Sequence, residues 1–174
     1  IFRQTLVEYL TFLTGTEREN LLKAAQELDI IDHYVSALAK ARTRRARVAA
    51  AEALGDLADG TAVGVLLGGL RDRIPEVRVQ SAHALAAIGD PLTVGALVDA
   101  LAEERELWVA ERLADALIAF DKAAVLDASL RLEYMRWEGP APPLWAPLVT
   151  KALGTIGDVR AQPALVRTLG APSV

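Results

Sequence analysis

Between residues 44 and 101 apolar side chains recur every three or four positions, stop at a short polar break, and recur again. In the segment 76–88, EVRVQSAHALAAI, the residues Val79, Ala82, Leu85, Ala86 and Ile88 return at helical spacing. Pro75 and Glu76 suit a first helical turn, where the missing N–H of proline costs nothing. Gly89 predicts the stop, because glycine accepts the left-handed backbone of a C-terminal cap. Asp90 then offers a cap for the next helix and Pro91 suits its first turn. Leu92, Val94, Leu97, Val98 and Leu101 form the expected buried stripe of that partner helix. The unit is therefore two antiparallel helices punctuated by Gly-Asp-Pro. A lone glycine is no phosphate loop, which needs several glycines presenting successive N–H groups.

The unit is repeated. Shifted by 31 residues, segment 47–70 lies on segment 78–101 without a gap, with 10 of 24 positions identical. The matches include Arg47/Arg78, Ala51/Ala82, Leu54/Leu85, Asp59/Asp90 and Leu70/Leu101. A third copy, 152–169, follows at a shift of 68, and a degenerate one without the glycine lies between at a shift of 32. Self-similarity at this period marks a solenoid, in which each repeat buries its apolar face against its neighbours. The expected fold is all-α: a right-handed α-solenoid of about five antiparallel helix pairs.

The expected organisation is one array over residues 1–174. Residues 1–40 are irregular capping helices, with a helix over 1–13. A capping box at Thr16-Glu17-Arg18-Glu19 precedes a helix to Leu28, and another helix covers about 32–39. Two clear repeats span 44–101, a degenerate repeat spans 105–131, a proline-rich insertion spans 136–147, and a final repeat spans 148–169. The insertion holds four of the eight prolines, flanked by Trp137 and Trp145.

Composition narrows the function classes. The absence of cysteine removes disulfides and thiolate metal sites and agrees with a reducing, cytoplasmic setting. A net charge of −4 argues against nucleic acid as the main partner. No stretch approaches the roughly 18 consecutive apolar residues of a membrane helix. Because the chain opens at Ile1, it reads as a fragment, and membrane association through a removed N-terminal anchor stays open.

Pro75-Glu-Val-Arg, Ala82-x-Ala84-Leu85, Ile88-Gly-Asp-Pro and Val94-x-x-Leu97 resemble HEAT repeats of the phycobilisome-lyase type. Residues 21–54 are also similar to bacterial HEAT-repeat proteins with an N-terminal membrane anchor. The resemblance implies a curved superhelix whose second helices, here about 44–58, 76–88, 107–120 and 144–156, line the concave side. Alignment then gives an outward stripe: Ala49, Glu52 and Asp56; Gln80, His83 and Ala87; Arg112, Asp115 and Ala119; Leu148, Lys151 and Thr155. It is a mixed-charge ridge with small residues between, suited to lying against a protein.

The candidate partner-binding residues are therefore Glu52, Asp56, Gln80, His83, Trp108, Arg112, Asp115 and Lys151. Trp108 aligns with the polar positions Arg45 and Glu76, and is either an exposed hot spot or core of a twisted repeat. Arg42, Arg44 and Arg45 are candidates for contact with an anion, since arginine clamps carboxylates and phosphates bidentately. The alternative for this cluster is a solvated helix entrance, with Arg47 paired to a neighbouring acidic loop. His33 is expected to pack or cap at a helix start. Neither histidine is followed by the glutamate of the iron-dependent HEAT-repeat hydroxylases, and no nucleophile accompanies His83, so no catalytic residue, metal or cofactor is expected. The acidic ridge likewise speaks against the basic groove of HEAT-like DNA glycosylases. The reading that emerges is a non-catalytic protein-interaction scaffold whose partner is another protein. The alternatives are a bilin-lyase-like tetrapyrrole factor or a structural spacer in a larger membrane-anchored protein.

Overall fold

A computed structural model of the chain describes residues 2–120 and 145–156. Every regular element among the described residues is helical. The chain divides into two compact units, Ile1–Ile88 and Gly89–Val174.

The first unit contains α1 (Phe2–Leu10), α2 (Gly15–Glu27), α3 (Ile30–Lys40), α4 (Arg44–Leu57), α5 (Val63–Gly69) and α6 (Pro75–Ile88). The most extensive packing is α4 on α6, followed by α3 on α4 and α5 on α6. This is the construction of a HEAT-type α-solenoid, with α3/α4 and α5/α6 as stacked pairs. The interface is made by small and branched apolar residues that are almost fully buried, among them Leu38, Ala51, Leu54, Leu66, Val77, Ala82 and Leu85. Alanine and glycine let the helices approach closely: a Cβ added at Gly55 would lie 3.1 Å from the Ala84 backbone. A Cβ at Gly69 would run into the hydroxyl of Ser81 on α6, which is buried without a hydrogen-bond partner among the described residues.

The second unit contains α7 (Val94–Glu103), α8 (Leu107–Ile118) and α9 (Trp145–Ile156), with α8 packed on both α7 and α9. Val94, Leu97, Val98, Leu101, Val109, Leu113 and Leu117 form its core.

The repeat is carried into the backbone residue for residue. α4 and α6 start and stop 31 positions apart, as do the 3₁₀ turns Gly60–Ala62 and Pro91–Thr93. In each copy an aspartate caps that turn: Asp59 accepts from the Thr61 amide at 2.8 Å and Asp90 from the Leu92 amide at 3.0 Å. The helix stop is left-handed in both, with φ 72° at Gly89 and φ 50° at Ala58. Glycine takes this conformation freely, whereas alanine pays for its Cβ.

Several expectations are corrected. Leu92 is not part of the buried stripe; it lies on the 3₁₀ turn and is 90% exposed, because three residues per turn shift the phase before α7 begins. Thr16 does not cap α2, which opens at Gly15 behind Thr14 with no side-chain cap bond. His33 sits exposed within α3 rather than packed or capping, its ring edge-on to Tyr34. α9 opens at Trp145, so residues 145–147 of the expected insertion form its first turn. The rest of that insertion, Trp137 included, and the parts of the degenerate and final repeats that follow α8 and α9 lie outside the described residues.

Candidate partner-binding ridge

The aligned stripe is solvent-facing in each unit. In the first, Ala49 and Glu52 on α4 and His83 and Ala87 on α6 are exposed, with Asp56 and Gln80 half-buried. In the second, Arg112, Asp115, Lys151 and Thr155 are exposed and Leu148 is half-buried. The cause is local: the remaining faces of α4, α6 and α8 carry the alanines, valines and leucines that bury against neighbouring helices, leaving one polar stripe per helix.

The two units present different surfaces. In the second, Arg112 donates to Asp115 at 3.4 Å and Lys151 approaches the other Asp115 oxygen at 3.8 Å. These are exposed pairs, easily exchanged for contacts to a partner. Trp108 belongs to the same unit and resolves its two readings toward the surface: 43% of it is exposed, and its indole N–H donates to Glu106 at 3.2 Å.

In the first unit the stripe is not the open ridge expected. α1 packs against α4, making a cleft of about 360 Å³ lined by Gln4, Glu8, Tyr34, Arg45, Glu52 and Asp56, among others. Burial pushes the Asp56 carboxyl above the usual carboxylate range, the Glu52 charge adds to this, and Arg18 opposes it. Arg18 donates to the Asp56 carbonyl at 2.9 Å. Burial also raises the Tyr34 phenol. Asp59, at the far end of α4, goes the other way. Burial pushes it up, but bonds from the Thr61 hydroxyl and amide and from Gln26 outweigh this and hold it below the usual range.

The arginine cluster is divided by the fold. Arg44 donates to Glu76 across the first turns of α4 and α6 at 2.6 Å. Arg45 lines the acidic cleft. Arg42 is exposed on the turn between α3 and α4. Arg47 does pair with an acidic loop: its guanidinium meets the buried carboxylate of Asp72, between α5 and α6, while its Nε donates to the Leu38 carbonyl at 3.2 Å. Asp72 also accepts from the Ile74 amide at 2.8 Å, and Arg78 donates to the Asp72 carbonyl at 3.0 Å. The α1–α4 cleft was not visible in the sequence, since α1 lies outside the repeat and nothing in its residues marks α4 as its partner.

Among the described residues no histidine–carboxylate group is placed to hold a metal, and no helix is long and apolar enough to cross a membrane. Compared with protein-family models, residues 31–118 match HEAT repeats. No curated protein matches the chain.

Proposed function

The chain belongs to the HEAT-repeat family, whose members are generally protein-interaction scaffolds, and from that premise we propose that it binds another protein through the polar stripe of its second helices. The observation that carries this reading is the stripe itself. A polar, solvent-facing stripe recurs on α4, α6 and α8, and Lys151 and Thr155 are exposed at the aligned positions of α9, while the alanines, valines and leucines of α4, α6 and α8 bury against neighbouring helices. Mixed charge on such a row gives orientation and partner choice more than raw affinity. The second unit adds an exposed tryptophan, the residue type most enriched among binding hot spots. In this reading the chain does no chemistry of its own.

The test is affinity capture from lysate of the native organism with the parent chain and a variant carrying Glu52→Arg, His83→Glu and Arg112→Glu. Circular dichroism checks that the variant keeps its helices. A protein retained by the parent and lost by the folded variant supports the stripe. Equal retention by both, or retention of nothing by the parent, contradicts it.

A further inference from the structure

The turns that link α3 to α4 and α5 to α6 share one edge of the first unit, and the contacts of Arg47 establish this. Its guanidinium spans from the Leu38 carbonyl at the end of α3 to the Asp72 carboxylate in the other turn. Arg44 and Glu76 join the first turns of the two following helices at the same end.

Along that edge the charge is one-sided. Lys40 at the end of α3 and Arg42 on the first turn are exposed, as are Arg71 and Arg73 on the second. In the second turn the side chains alternate, so Asp72 turns inward to Arg47 and both flanking arginines turn out. The acid within the turns is thus consumed internally. Among the described residues no ion pair engages Lys40, Arg42, Arg71 or Arg73. A chain of net charge −4 therefore concentrates unopposed cations on one edge.

We propose that the Lys40–Arg42–Arg71–Arg73 edge binds an aspartate- and glutamate-rich segment of a protein partner, a second contact surface separate from the polar stripe. The proposal rests on the scaffold reading for the presence of a protein partner. Guanidinium forks match carboxylates bidentately, and three of the four cations are arginines. A membrane surface fits less well, because the exposed large apolar residues described, Tyr9, Phe12, Leu28, Leu92, Leu107 and Trp108, all lie off these two turns. A nucleic-acid strand fits less well too: the edge carries no aromatic platform for bases.

The test is fluorescence anisotropy with a labelled peptide of alternating aspartate and glutamate, titrated with the parent chain and with the triple variant Arg42→Gln, Arg71→Gln, Arg73→Gln. None of the three arginines makes an internal ion pair, so folding should survive, which thermal melting checks. Binding that weakens by about tenfold or more in the variant, with a shallower salt dependence, is the expected result. The stripe variant, Glu52→Arg with His83→Glu, should bind this peptide as the parent does. Absence of peptide binding, or unchanged binding by the triple variant, overturns the proposal. Tighter binding to phosphatidylserine vesicles or to a single-stranded oligonucleotide than to the peptide also overturns it. Failure of the stripe reading would show instead in the capture experiment, with peptide binding untouched.

Discussion

At the scale of single residues, the two copies of the helix stop amount to a natural substitution experiment. Gly89 and Ala58 hold the same left-handed backbone at equivalent positions, but only alanine carries a Cβ there. Replacing Ala58 with glycine should therefore stabilise the chain by about 1 kcal/mol, the left-handed strain relieved less the extra freedom of an unfolded glycine. Urea denaturation measures it, and a destabilised variant would contradict the assigned backbone. The cleft offers a second residue-scale prediction. Because Glu52 adds to the rise of the Asp56 carboxyl, Glu52→Gln should bring Asp56 down toward its ordinary value, read by carboxyl ¹³C NMR across a pH titration. The linkage has a definite sign. A carboxyl raised in the folded state takes up its proton there first, so as pH falls from neutral through the raised value toward the ordinary one, the Asp56 contribution turns in favour of folding. Asp59, held low, does the reverse: its contribution is present above its ordinary value and is lost as pH falls through the lowered one.

At the scale of elements, the turn between α5 and α6 depends on Asp72. Its side chain is almost fully buried and joins the Arg47 guanidinium to the Ile74 amide, while Arg47 in turn holds the end of α3. Removing one member of a buried pair leaves the other charge uncompensated, and Arg47 is itself only partly open to water. Asp72→Asn should cost about 2 kcal/mol, and Asp72→Ala, which also removes the acceptor for Ile74, about 3 kcal/mol. Chemical denaturation checks both, and a loss near zero for Asp72→Ala would mean that the pair contributes nothing. These elements also mark what the sequence could tell. The 31-residue shift, with Pro75, Gly89 and Asp90 as punctuation, made α4, α6 and their exposed stripe legible, because repeat spacing encodes local geometry. The place of Leu92 was misread because a helical count was carried through a 3₁₀ turn. The packing of α1 on α4 was illegible for a different reason: it is a long-range docking made once, with no second copy to compare. That one contact turned an expected ridge into a cleft at Glu52 and Asp56.

At the scale of the whole molecule, the central claim is that the repeat leaves one polar row per second helix for a protein partner. Side chains of the row that face solvent gain nothing from being apolar, and on α4 the row borders the cleft beside α1. Photo-crosslinking in native lysate tests the claim most directly. A photoreactive benzoylphenylalanine would replace His83 on the exposed stripe of α6 in one chain and Ser36, exposed on α3, in another. A discrete protein adduct from position 83 with none from position 36 is the predicted result. An adduct from position 36 alone, or from neither, would contradict the stripe as the binding surface.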